Sequence, residues 1–189
     1  MIGRKRTPSF LASFLIFAIP FLILTGLDWV ITNYGIEVKQ VSESNAIVKG
    51  EDGSLSVIFI LINGGVGLLL AVLFASALPK VWEEKDAIAI EFNPKEFFKA
   101  IIRGTPMGLV GSALSVVITK IVPVVNNLFA LYLEISLPGL ILRASGSKTL
   151  TMWGSILIGC AIGMLGAFLI LNTVLKKREV STSDSIKEK

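Results

Sequence analysis

Few side chains inside the apolar stretches of this chain could do chemistry, and those that form a candidate polar site are Asn63, Lys120, Asn126, Asn127 and Glu134. Ionisable groups at membrane depth are costly and by default mark a functional site. Lys120 and Glu134 could therefore form a coupling-ion or substrate site where Pro123 interrupts a helix. In the alternative, Lys120 extends outward to the headgroups and Glu134 lies on the polar side of an interfacial helix. Asn63 could make a single hydrogen bond between helices.

The sequence lacks the residues that most catalytic and metal-binding sites need. The chain has no histidine, and its single cysteine, Cys160, lies inside an apolar run. Haem, copper and zinc sites draw on His, Cys or clustered carboxylates, and a serine triad requires His. The run Gly64-Gly65-Val66-Gly67 lies within an apolar stretch, which disfavours a nucleotide-binding loop. We expect no catalytic residue, no cofactor and no metal; a lipid-modifying enzyme that uses loop carboxylates such as Glu83 is the weaker alternative.

The composition predicts an integral membrane protein. The 189 residues are 53% hydrophobic, and the mean hydropathy is +0.76. Several apolar runs approach the ~20 residues that a helix needs to cross ~30 Å of hydrocarbon. The net charge is +4, but the basic residues flank the apolar runs instead of forming a stripe on a polar domain. We therefore expect the lipid bilayer, and no nucleic acid, as a partner.

The elements that must position the polar residues are four membrane-spanning helices in one all-α bundle, residues 1–189. The spans are predicted at about 10–31, 55–78, 105–123 and 152–175, joined by an outer loop 35–54 and a cytoplasmic loop 80–103 and followed by a tail 176–189. Pro79 is expected to end the second span. Short β-branched runs around a Ser/Asn cluster resemble a small extracytoplasmic β-hairpin in the outer loop.

The third apolar stretch, from residue 105 to 142, is too long for one straight span, so it must bend or divide. If it crosses once, residues 124–142 re-enter or lie at the outer surface. This arrangement places 13 Lys and Arg inside and five outside, whereas five spans would give ten and eight. The positive-inside bias therefore favours four spans with both termini cytoplasmic.

The first apolar run is expected to be a retained signal anchor. A basic start precedes it, but the run is longer than a signal-peptide core and no small-residue cleavage site follows. It lacks a ladder of small residues, which places it at the bundle's edge, facing lipid or a partner. The outer loop contains no N-glycosylation sequon. We expect a multi-pass protein of a prokaryotic plasma membrane.

The other three apolar segments have small residues at every fourth position. These helix-packing ladders are Asn63, Gly67, Ala71 and Ala75; Gly104, Gly108 and Ser112 beside Gly111; and Ser155, Gly159, Gly163 and Ala167. Hydrocarbon supplies no hydrophobic drive between helices, so small side chains one turn apart let two backbones approach and pack by dispersion.

An interfacial helix is predicted in the cytoplasmic loop. Asn93 supplies a cap, Pro94 a first turn and Glu96 the residue three after the cap. The expected membrane-surface residues are Lys95, Phe97, Phe98, Lys99, Ile101, Ile102 and Arg103. Their basic side would face anionic headgroups while their apolar side enters the acyl boundary.

These patterns support two functional hypotheses. The first is a non-catalytic subunit or assembly component of a larger membrane complex, whose ladders pack against its own helices and those of other chains, in a hetero- or homo-oligomer. The second is a small transporter or channel with a polar path near Asn63, Lys120 and Glu134.

Overall fold

The computed structural model describes residues 7–39 and 57–176, and within them it is all-helical, with no strand. This confirms the predicted all-α class for the described part of the chain. The helices are α1 Phe10–Lys39, α2 Val57–Glu83, α3 Lys85–Glu91, α4 Pro94–Arg103, α5 Pro106–Thr119, α6 Ile121–Leu133, α7 Leu137–Ser145 and α8 Lys148–Lys176.

Four helical segments in the described residues are long and apolar enough to cross a membrane. They are Phe10–Gly35, Leu61–Glu83, Pro106–Leu133 and Lys148–Lys176. Only 17–33% of each apolar stretch is buried within the protein, so their outer surfaces consist mainly of exposed aliphatic and aromatic side chains. Such a surface is unsuited to water and suited to lipid. The protein is therefore a membrane protein with a bundle of four apolar segments.

Two predicted boundaries differ from the structure. Helix α1 continues to Lys39, so residues 36–39 are helical instead of starting a hairpin strand; the rest of the predicted hairpin lies outside the described residues. Helix α2 passes through Pro79 and ends at Glu83. Proline is tolerated within apolar helices where neighbouring groups can satisfy the backbone that it leaves unpaired, so a proline at this position does not have to end α2.

The long stretch after Thr105 divides, as its length requires. Helix α5 passes into α6 at Lys120, and both belong to one apolar segment, Pro106–Leu133, that is long enough to cross a membrane. The chain then reverses at Glu134, which has a left-handed φ of 58°, before Ser136 caps α7. This apolar helical segment extends beyond residues 105–123, the range predicted for the third span.

Helix α5 lies at the centre of the bundle and contacts α1, α2, α4, α6 and α8. Its contact with α8 is close because Gly163 has no side chain: a Cβ atom built there would lie 2.5 Å from the Ser115 carbonyl oxygen. Thr119 completes the contact, since its Oγ1 lies 3.1 Å from the Gly159 carbonyl oxygen and 2.8 Å from that of Ser115. Two backbones therefore meet directly in this contact.

The remaining ladder residues fall into three groups. On α2, Gly67 lies under the Phe21 ring of α1, and Ala71 and Ala75 are buried. On α5, Gly108 and Gly111 face α4 and not another span, with Gly108 against the Ala100 carbonyl. The other members of these ladders are Gly104, which caps α4, the half-buried Asn63, Ser112 and Ser155, and the buried Ala167.

Replacing Gly163 by alanine should destabilise the bundle. The added methyl group has no room between α5 and α8, and overpacking of this kind typically costs about 1–3 kcal/mol. Gly65→Ala is the matched control, because nothing lies within 4 Å of the added Cβ and helix propensity gains up to about 1 kcal/mol. Unfolding in mild detergent measures both. Equal stability of the two variants would contradict the close α5–α8 contact.

Candidate functional site

A cluster of hydrogen-bonded polar side chains lies among the apolar helices. At its centre, the Lys120 Nζ donates to the Asn63 Oδ1 at 2.6 Å, which joins the α5–α6 junction to α2. The same ammonium lies 5.5 Å from the centre of the Phe21 ring on α1. A ring face attracts a cation through its quadrupole. The Lys120 side chain is half-buried, and its ammonium group contacts both α2 and α1.

A second part of the cluster joins α6 to α1. The Asn127 Nδ2 donates to the Asp28 Oδ1 at 3.0 Å and lies 3.1 Å from the Thr32 Oγ1. Asp28 and Thr32 lie on one face of α1 because they are four residues apart. The bond from an amide to a carboxylate is charge-assisted and so is among the stronger hydrogen bonds.

Asn126 extends the cluster to α7. Its Oδ1 accepts a hydrogen bond from the backbone N–H of Leu137 at 2.7 Å, and its Nδ2 donates to the Asn127 Oδ1 at 3.3 Å. The N–H of Leu137 belongs to the first turn of α7, where backbone donors have no partner within the helix. Asn126 therefore holds the start of α7 against α6.

The cluster contains one positive and one negative charge. The Asp28 carboxylate attracts the Lys120 ammonium, although the two bond to different amides. Charges removed from water are costly unless they are paired and hydrogen-bonded. The four helices α1, α2, α6 and α7 thus share a nearly neutral network, in which each ion compensates part of the other's desolvation.

Glu134 lies apart from this cluster. Its side chain is exposed, and within residues 7–39 and 57–176 it makes no hydrogen bond or ion pair. Lys120 precedes the first residue of α6 and Glu134 follows the last, so the two are separated by about 20 Å along the helix axis. The structure does not bring the predicted Lys120–Glu134 pair together; the acidic partner near Lys120 is Asp28.

Sequence reasoning missed the face that α1 contributes to the cluster. Thr25, Asp28 and Thr32 recur at spacings of three and four residues, a signal that was present in the sequence. The Thr25 Oγ1 is buried and has no hydrogen-bond partner in the described part of the chain. Buried hydroxyls are normally paired, so this atom is an unused polar position beside the cluster.

Helix α4 forms a second polar region, at the end of the bundle where α5 begins. The Asn93 Oδ1 accepts from the Glu96 N–H at 3.1 Å, and Gly104 ends the helix with a left-handed φ of 62°. The Lys99 Nζ lies 2.6 Å from a Glu96 carboxylate oxygen. This hydrogen bond, more than the nearby charges of Lys95 and Arg103, lowers the pKa of the Glu96 carboxyl.

The predicted membrane-surface residues of α4 divide between two sides. Phe97 is 1% exposed and packs on Phe92 and Phe168, so it belongs to the core and does not face the surface. Ile101 also packs against the core. Phe98 and Ile102 are 47% and 84% exposed and lie beside the basic residues. The exposed side of α4 therefore contains fewer apolar residues than predicted, because Phe97 and Ile101 pack on the core.

Within the described residues there is no group of three or more His, Cys, Asp and Glu side chains that could hold a metal. Cys160 is exposed on α8. The polar cluster can hold charge and donate or accept hydrogen bonds.

The Lys120–Asn63 bond should appear as a coupling energy. Asn63→Leu and Lys120→Met should each destabilise the protein, but the double variant should lose less than the sum, because removing both partners leaves neither half of this bond unpaired, and the loss of charge beside Asp28 is the same in both Lys120 variants. We expect about 1.5–3 kcal/mol of coupling. Asn63→Leu combined with Glu134→Gln is the control and should be additive within about 0.5 kcal/mol. An additive result for the first pair would contradict the bond.

Comparison of the chain with protein-family models, with curated proteins and with solved structures finds no match. What the chain does must therefore be inferred from the placement of its own residues.

Proposed function

We propose that this protein is a non-catalytic subunit or assembly component of a larger complex in a prokaryotic plasma membrane, with both termini cytoplasmic. Its role would be structural: it presents a preformed bundle to the spanning helices of other chains. The positive-inside count and the apolar outer surfaces support the membrane arrangement.

The observation that supports this proposal most is how the polar cluster uses its hydrogen bonds. Lys120 bonds to α2, Asn127 bonds to α1, and Asn126 bonds to the first turn of α7. These bonds join helices of the same chain, and the side-chain oxygens of Asn63 and Asn126 each accept one of them. A rigid, internally bonded bundle is suited to docking against another protein, because little freedom is lost when it binds.

The first helix offers the surface best suited to such a contact. Of the four apolar segments it is the least buried, at 17%. Phe17 and Phe21 face the core, while exposed aliphatic side chains form a stripe on the opposite side, made of Leu11, Leu15, Ile19 and Leu22. We infer that this stripe contacts a spanning helix of a partner chain.

Photo-crosslinking in native membranes tests the contact. A photoreactive residue in place of Leu15 or Leu22 should give one discrete protein adduct, because both lie on the same exposed stripe of α1. The same probe at Leu165, exposed on α8, is the matched control and should give mainly lipid adducts. A single-chain particle in mild detergent, with only lipid adducts from α1, would contradict the subunit proposal.

A small transporter or channel is the second candidate, and Thr25 favours it. Its hydroxyl is buried and has no hydrogen-bond partner within the described residues, and it lies one turn along α1 from both Phe21 and Asp28, which contact Lys120 and Asn127. Polar groups in such places commonly line a path for an ion or a polar solute.

Flux through reconstituted protein tests this alternative. If the path exists, Thr25→Val and Lys120→Met should each lower flux at least tenfold, because both remove polar groups from the cluster. Glu134→Gln should leave flux unchanged, since Glu134 lies outside the cluster. Wild-type flux no greater than that of empty vesicles would exclude the transporter.

A further inference from the structure

Helix α4 lies beside the first residues of the apolar segment Pro106–Leu133. It ends at Arg103, and the segment Pro106–Leu133 starts three residues later. The left-handed turn at Gly104 and the Thr105 cap send the chain back along α4, so that Ala100 meets Gly108 and Phe97 meets Gly111. These contacts lie within the first two turns of α5, about 10 Å of helix. Helix α4 is therefore beside the entry of a span into the bilayer.

The outward side of α4 combines apolar and basic side chains in adjacent stripes. We call it the α4 outer face, and it consists of Lys95, Phe98, Lys99, Ile102 and Arg103. Phe98 and Ile102 lie one turn apart and exposed, while Lys95, Lys99 and Arg103 follow a neighbouring row at the same four-residue spacing. Phe97 anchors the opposite side in the core. An exposed apolar stripe beside a basic one is the arrangement of helices that lie at a lipid interface.

The basic residues of this face follow most of the acidic residues of the same loop in the sequence. Helix α4 contains three basic residues and one acidic residue, Glu96, which is paired with Lys99. The other acidic residues of the loop, Glu83, Glu84, Asp86 and Glu91, all precede α4. Lys95 and Arg103 are exposed on the outer face. The face is thus net positive although the loop as a whole is not.

We propose that the α4 outer face binds the headgroups of anionic phospholipids in the membrane that this chain spans, with Phe98 and Ile102 in the acyl boundary and Lys95 and Arg103 on the headgroup phosphates. Each basic residue near an anionic surface strengthens such binding by about fivefold. This inference is independent of whether the protein is a subunit or a transporter.

Tryptophan quenching by brominated lipids in vesicles measures the preference directly. Phe98→Trp, in a full-length chain with Trp29, Trp82 and Trp153 changed to Phe, reports the lipid at the outer face. The probes are brominated phosphatidylglycerol and brominated phosphatidylcholine, and the result is the ratio of their association constants. Leu157→Trp, exposed on α8, is the control reporter and should give a ratio near one.

We expect the Phe98→Trp reporter to favour phosphatidylglycerol severalfold. Lys95→Gln with Arg103→Gln should bring the ratio near one, whereas Arg143→Gln with Lys148→Gln, an equal loss of charge away from α4, should not change it. Glu96→Gln should raise the ratio, because it removes the one acidic group of α4 and glutamine still serves at this capping position. This increase in binding separates lipid recognition from simple loss of stability.

Three outcomes would overturn the proposal. The first is a Phe98→Trp reporter that neither brominated lipid quenches, which would place the face away from the bilayer. The second is a ratio near one in the otherwise unchanged chain. The third is a preference that persists in the Lys95→Gln, Arg103→Gln variant or at about 1 M salt, where a Debye length of about 3 Å screens attraction between exposed charges.

Discussion

The direct backbone contact between α5 and α8 is the interaction on which the rest of the arrangement depends. In lipid there is no hydrophobic driving force between two apolar helices, so their association must come from dispersion at short range and from hydrogen bonds. Gly163 allows the α5 and α8 backbones to approach closely because it has no side chain. Thr119 places a hydroxyl at hydrogen-bonding distance from the Gly159 carbonyl. With α8 fixed on one side of α5, the other sides of α5 are left for α2 and α4.

The polar cluster fixes the register of α1 and α2 against the α5–α6 segment by a different means. Dispersion between smooth apolar surfaces tolerates sliding and rotation, whereas a hydrogen bond to a buried charge does not. Lys120 and Asn127 therefore specify how α1 and α2 sit against the α5–α6 segment, even where the packing alone is permissive. The same bonds bear on function: a group that holds two helices in register has fewer donors and acceptors left for a solute, whereas the Thr25 hydroxyl has no hydrogen-bond partner within the described residues.

The features that could be predicted from the sequence are those that depend on local or periodic patterns of residues. Long apolar runs predicted four segments able to span a membrane, and the Asn93 and Pro94 start of α4 was visible because a cap involves residues three positions apart. The partner of Lys120 was not predictable, because Asp28 and Asn63 are distant in sequence and only packing brings them near. The prediction that Pro79 ends a helix was wrong, since whether a proline is tolerated inside a helix depends on the groups around it, which the sequence does not show.

The α5–α8 contact also has a consequence for biosynthesis. Thr119 and Gly159 are 40 residues apart, so the groove on α5 is made well before the helix that fills it. At about 5–20 residues per second, translation leaves that groove without α8 for about 2–8 s. During this interval the Ser115 and Thr119 hydroxyls can still donate to the carbonyl oxygens one turn earlier in α5, those of Gly111 and Ser115. Both hydroxyls are therefore hydrogen-bonded in the insertion machinery or in lipid. The nascent chain thus has no unpaired Ser115 or Thr119 hydroxyl in this groove before α8 is made.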